Sequence, residues 1–161
     1  GVQGDDNKSR WIECRGVRNS AAISSYYMNG NATATTIAVV NTPVKAAGTT
    51  TSSAITQSFT NTDNRATYTG VIQRDFKVSA VMSVASGNNN QVGVYIAKNG
   101  TLVAASEIFV TTNAGGRAEG AVCQAIIEAV TDDYIEIFVE NATGTTNITA
   151  TELNVIVEAL N

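Results

Sequence analysis

The 161-residue chain contains no histidine, one proline (Pro43) and two cysteines, and only 15% of its residues are charged. An average soluble protein carries roughly 25% charged residues. The missing histidine removes the commonest general base and the commonest metal ligand. Ser-His-Asp and Cys-His triads and imidazole-based zinc sites are therefore excluded, and an ordinary hydrolase is not expected. No apolar run approaches the roughly 18 residues that cross a bilayer, so membrane insertion is not expected either. The segment Gly1-Val2-Gln3-Gly4-Asp5-Asp6 is polar and acidic where a targeting segment is basic and then apolar. The chain starts without an initiator Met, which predicts processing or excision from a longer polypeptide. Net charge is −4, and the basic residues are scattered singly apart from Arg10, Arg15 and Arg18. Without a continuous basic stripe, nucleic acid is a poor partner.

The space left by charge is filled with 21 Thr, 16 Asn and 11 Ser, beside 13 Gly. This length suits one domain, which on folding buries roughly 70% of the surface the unfolded chain exposes, with no need of disulfides or metal. Cys14 and Cys123 have no CxxC spacing; a disulfide between them and two buried free thiols are both open readings, the free thiols being preferred.

Period-two alternation, the mark of half-buried strands, recurs along the chain. Residues 92–98 put Val92, Val94 and Ile96 on one side and Gly93, Tyr95 and Ala97 on the other, and Asn99-Gly100 then predicts a type I′ hairpin turn. The return strand is expected over Thr101 to Thr112. Residues 74–86 place Phe76, Val78, Ala80, Met82 and Val84 on one face. Residues 118–130 and 134–140 read as strands joined by the short turn Thr131-Asp132-Asp133, although the first has some helical composition. The final segment 148–160 alternates and is apolar enough to be central in its sheet. Shorter strands are expected at Trp11 to Arg15, Ile23 to Met28, Thr35 to Asn41, Ser53 to Thr60 and Arg65 to Gly70. About ten strands in one domain predict an all-β sandwich or barrel.

Candidate chemistry is sparse. Five Asn-X-Ser/Thr sequons, at Asn7, Asn31, Asn99, Asn141 and Asn147, are what a chain this rich in Asn and Thr produces by chance. Asp132-Asp133 lacks the loop pattern of a calcium site and reads as a solvated turn. Tyr26, Tyr27 and Tyr68, with Trp11, are candidates for a sugar-stacking or receptor platform, set against the alternative of core or inter-subunit packing. No catalytic residue, metal ligand or cofactor is identified. Exposed strand faces of Thr and Asn suit packing against another copy or another protein.

In their order along the chain, several motifs resemble the C1q/TNF-like jelly rolls. They are Tyr27-Met28 through Thr35, Asn41-Thr42-Pro43-Val44-Lys45, Arg65 through Gly70, Phe76-Lys77-Val78 through Asn99-Gly100-Thr101, and Asp132-Asp133-Tyr134 through Asn141. The pattern is most similar to the versions found in tailed-phage virion proteins. The resemblance, spanning about Trp11 to Leu160, implies a two-sheet antiparallel jelly-roll sandwich of about ten strands that assembles as a homotrimer. It further implies a non-enzymatic structural protein of the phage particle, a capsid decoration or head-fibre knob whose partners are itself and other virion proteins. A knob at a tail needle or fibre tip, binding a host surface glycan or receptor, is the alternative. The family lines its trimer axis with apolar and aromatic residues, for which the matching candidates are Tyr95, Tyr134, Phe138 and Ile156. Residues 1–18, the most charged stretch, read as an arm or anchor, and residues 19–161 as the jelly-roll domain.

Overall fold

A computed structural model describes residues 22–113, 115 and 117–160. The arm expected over residues 1–18, the strand at Trp11 to Arg15, Cys14 and the Asn7 sequon lie outside the described residues. The described chain forms twelve strands: β1 (Ile23–Met28), β2 (Val44–Lys45), β3 (Thr51–Ser52), β4 (Phe59–Thr62), β5 (Arg65–Tyr68), β6 (Arg74–Ala85), β7 (Gln91–Lys98), β8 (Thr101–Leu102), β9 (Ile108–Thr111), β10 (Glu119–Ala129), β11 (Tyr134–Asn141) and β12 (Thr149–Ala159). One 3-10 turn, Ala104–Ser106, interrupts them.

The strands divide into two antiparallel sheets. One has the order β10-β6-β12-β1-β3; the other runs β4-β5-β11-β7-β8, with β2 also paired to β11 and β9 to β7. Consecutive strands repeatedly cross between sheets, the connectivity of a double-sheet jelly roll. The last strand is central in its sheet, as its apolar composition predicts. Segment 119–129 is strand, because its alternation buries Ala121, Cys123 and Ile127 on one side against the partner sheet.

Both inner faces come from the alternation seen in sequence. Phe76, Val78, Ala80, Met82 and Val84 of β6 are buried with Leu153, Val155 and Val157 of β12. Opposite them stand Val92, Val94 and Ile96 of β7 and Ile135, Ile137 and Val139 of β11. Phe59, Tyr68 and Phe76 close one end of this core with ring centroids 5.0–5.3 Å apart. Cys123 is a free thiol inside it, and burial pushes its pKa up to about 11.

The Asn99-Gly100 turn has positive φ at both residues, 51° and 75°, as a type I′ turn requires. Three expected strands are shorter than their sequence pattern. Thr101 to Thr112 breaks at Ser106, whose hydroxyl accepts from the Ile96 amide at 2.8 Å and donates to the Val103 carbonyl at 2.7 Å. That side chain stands in for a ladder partner, so β8 and β9 pair with separate parts of β7. Thr35 to Asn41 makes a single bridge, Thr35 to Ile148, after which the Ile37 amide donates to Asn147 Oδ1 at 3.1 Å and the Asn41 amide to the Asn141 carbonyl at 3.0 Å. Ser53 to Thr60 is likewise strand only from Phe59 onward, after Ser58 turns the backbone with φ 59°.

A buried side chain bridges a gap in the second sheet. β5 pairs with β11 up to Glu136 and β2 takes over from Phe138, leaving Ile137 between them. Asn64, fully buried at φ 46°, fills that position. Its Nδ2 donates to the carbonyls of Ile137 (2.8 Å) and Ala46 (3.0 Å), and its Oδ1 accepts from the Ile137 amide (3.2 Å) and the Tyr26 hydroxyl (3.3 Å). The amide group thus acts as a detached peptide unit completing the ladder.

Candidate functional site

The outer faces of the two sheets differ in kind. On the five-stranded sheet, register sets Val122, Val81, Asn154 and Tyr27 side by side across β10, β6, β12 and β1, with Gln124, Ser79, Ile156 and Ser25 in the next outward row. These eight neighbouring side chains include no charge. Val81 and Val122 are each about half exposed, at 52% and 51%, and Ile156 is 42% exposed. The following row is Ile126, Lys77, Glu158 and Ile23, where opposite charges flank the edge of the neutral zone. Beside it, a shallow groove of about 230 Å³ is lined by Ile126, Leu160 and Gln124 among others, with Ile126 70% exposed. Monomeric surfaces scatter such residues singly; here they adjoin one another and are bordered on one side by the Lys77–Glu158 row, an arrangement suited to association.

The outer face of the second sheet is closed by its own side chains. Glu136, 3% exposed, accepts from Arg65 Nη2 at 2.8 Å and Lys45 Nζ at 3.0 Å. The Arg65 guanidinium also lies over the Tyr134 ring, 4.0 Å from its centroid. One row further, the Tyr95 hydroxyl lies 2.5 Å from Glu140 Oε1 and 2.9 Å from Glu107 Oε1. Burial, followed by the hydrogen bonds to Glu140 and Glu107, holds the Tyr95 phenol well above its ordinary pKa, so it stays protonated as the donor. Phe109 from β9 packs edge-on to Tyr95, 6.3 Å between centroids. Gly93 lies beneath this cluster: a Cβ there would meet Glu140 Cγ at 2.9 Å and Phe109 and Tyr95 ring carbons at 3.0 Å. The two carboxylates meet on one phenol on a sheet face, a positioning that ties β9 and its preceding turn to the sheet.

The four candidate interface residues therefore do not share one surface. Ile156 lies on the neutral face of the five-stranded sheet, whereas Tyr95, Tyr134 and Phe138 lie on the outer face of the other sheet. Tyr95 is already covered within its own chain. The tyrosine platform is not formed: Tyr26 and Tyr68 are buried, with hydroxyls donated to Asn64 and to the Ile72 carbonyl, because both side chains fall on the inward phase of their strands. Burial, reinforced by Glu136 and Cys123, also raises the Tyr26 pKa. Tyr27, on the outward phase, is half-buried on the neutral face beside Asn154.

Asp133 is the anchor of its turn. Partial burial works to raise its pKa, but the Lys98 ammonium 2.8 Å away, the Val130 amide and the Asn99 side chain together hold it below the ordinary value. Among the sequons, the Asn31, Asn99 and Asn141 amides are all engaged in hydrogen bonds. Sequence reasoning missed Val81, Val122, Ile126 and Leu160. The available signal was apolar residues on the outward phase of otherwise alternating strands.

No family model and no curated protein sequence matches the chain. Its fold is similar to that of murine APRIL at pH 5.0, with a TM-score of 0.57 at 5% identity over 84% of this chain and 98% of that one. It is also similar to PRD1 vertex protein P5 (TM-score 0.55, 11% identity, 88% and 98% covered). Eiger TNF from S. frugiperda follows (TM-score 0.53, 9% identity, 88% and 93% covered). At such identities the likeness defines the fold, a C1q/TNF-like jelly-roll sandwich.

Proposed function

We propose that the chain is a structural protein displayed on the surface of a phage particle, where it packs against two further copies as a homotrimer. The observation that carries this reading is the neutral face of the five-stranded sheet, centred on Val81, Val122 and Ile156. Fully burying a Val or Ile side chain contributes about 1.5–3 kcal/mol, so each of these half-exposed residues gains about 1 kcal/mol when covered. Three symmetric copies repeat that gain, and the neutral Ser, Asn and Gln side chains between them are covered at far less cost than charges. The resemblance to tailed-phage virion proteins and the structural likeness to a vertex protein support the particle setting. Residues 1–18 are the proposed link to the rest of the particle.

Sedimentation mass tests the assembly. The native chain is expected at three times its monomer mass at micromolar concentration. The Val81→Asp/Ile156→Asp variant is expected as a folded monomer, while Thr60→Asp, exposed on the other sheet, leaves the trimer intact. A native chain that stays monomeric overturns the reading. Removal of residues 1–10 is expected to leave the trimer folded while reducing its recovery with purified particles.

A further inference from the structure

We propose that a polar cup beside the Asn64 staple binds one neutral sugar residue. The cup has a volume of about 320 Å³ and is formed where residues 45–49, leaving β2, pass the β4–β5 turn and residue Thr33. Side chains from outside it fix its backbone walls. Asn31 Nδ2 donates to the carbonyls of Ala150 (2.9 Å), Ala47 (3.1 Å) and Thr33 (3.3 Å), and its Oδ1 accepts from the Thr33 amide (3.1 Å). The Ala47 amide donates to the Thr35 hydroxyl at 2.9 Å, and Asn64 holds the Ala46 carbonyl. Gly48, at φ 138°, lets the chain pass so close to Asn31 that a Cβ would lie 2.7 Å from its Nδ2. The walls are therefore set before any ligand arrives, which spares the ordering cost of binding.

The functional groups inside the cup are, by contrast, uncommitted. Among the described residues the hydroxyls of Thr33 and Thr49 and the carboxylate of Asp63 have no hydrogen-bond or ion-pair partner, and all three residues are exposed. Lys45 reaches Glu136 at 3.0 Å and remains about one-third exposed, leaving N–H donors for a ligand. Charge selects the ligand class. The two charged residues that line the cup, Lys45 and Asp63, are of opposite sign, and Lys45 is already paired with Glu136, so no excess charge of either sign favours an anion or a cation. An apolar ligand would strand these polar groups. A sugar offers adjacent hydroxyls that both donate and accept: two vicinal hydroxyls donate to the Asp63 carboxylate, Lys45 donates to an oxygen, and the threonines serve either role.

No aromatic ring lines the cup, so each site binds weakly, on the order of millimolar. The cup lies within one chain and stands whether or not the chain self-associates. On a multi-copy particle, repeated sites would raise avidity toward a glycan-covered surface.

The test is a titration of the isotope-labelled full chain, followed by amide chemical shifts, with the methyl glycosides of glucose, galactose, mannose and N-acetylglucosamine, and with inorganic phosphate. At least one sugar is expected to shift the amides of Thr33, Gly48, Thr49 and Asp63 in a saturable way, and phosphate to leave them unmoved. Asp63→Ala and, separately, Thr49→Val are expected to weaken that binding about tenfold while the remaining spectrum stays dispersed. Absence of shifts with every sugar, shifts centred elsewhere, phosphate binding in the cup, or unchanged affinity in both variants overturns the proposal.

Discussion

Replacing Asn64 with alanine is expected to be among the most destabilising single changes in the molecule. The side chain is fully buried and serves four partners: the Ile137 amide, the Ile137 and Ala46 carbonyls, and the Tyr26 hydroxyl. Each buried polar group left unsatisfied costs about 1–3 kcal/mol. The Ile137 carbonyl keeps a second donor, the Ala46 amide at 3.0 Å, and the Tyr26 bond is long at 3.3 Å. Two groups, the Ile137 amide and the Ala46 carbonyl, therefore bear most of the loss. Alanine must also hold φ 46°, which costs about 1 kcal/mol more. The sum is about 3–7 kcal/mol, a large share of the roughly 5–15 kcal/mol that stabilises a typical domain. Equilibrium urea denaturation at fixed protein concentration measures it, since self-association would otherwise shift the apparent stability. Asn64→Gly separates the terms: it loses the same bonds but tolerates the backbone, and should be less destabilising than alanine by about 1 kcal/mol. Tyr26→Phe, which removes one weak partner, should cost about 1 kcal/mol. A loss below about 1.5 kcal/mol for Asn64→Ala would refute the view that this amide completes the ladder.

Gly93→Ala drives a methyl into Glu140, Phe109 and Tyr95, and is expected to cost about 1–3 kcal/mol and to speed amide exchange in β9 ahead of β7. For Asp133, the folded pKa is below the ordinary 3.8. Its contribution is therefore fully present above 3.8 and lost as pH falls through the lower folded value. Melting temperatures of the native chain and Asp133→Asn should differ at neutral pH and converge in strong acid; a constant gap would refute the Lys98 pairing as the cause. In a Cys14→Ser background, which leaves one thiol, Cys123, held near 11, should resist thiol reagents at mildly alkaline pH until the chain unfolds, and prompt labelling of that folded variant would contradict its burial.

Period-two alternation made most of the sandwich legible, because inward phase is a local property of each strand. Val92, Val94 and Ile96, or Leu153, Val155 and Val157, could be assigned to a core without knowing their neighbours. The strand breaks were not legible. Ser106 ends a strand through its hydroxyl bonds to Ile96 and Val103, and nothing in its immediate sequence announces those partners. The same limit separates the candidate interface residues. Tyr95, Tyr134, Phe138 and Ile156 look alike in sequence, each a large outward-phase side chain on an alternating strand. What distinguishes them is cross-strand register. Tyr95 finds Glu140, Glu107 and Phe109 around it and is covered within its own chain, while Ile156 finds Ser79 and Ser25 and stays open. Small neighbours leave a large apolar side chain available to another molecule; large or charged neighbours use it up at home. The proposed surface of assembly is thus written in pairs of residues far apart in the chain: the apolar pair Val81 and Val122, 41 positions apart, marks it more clearly than any aromatic residue.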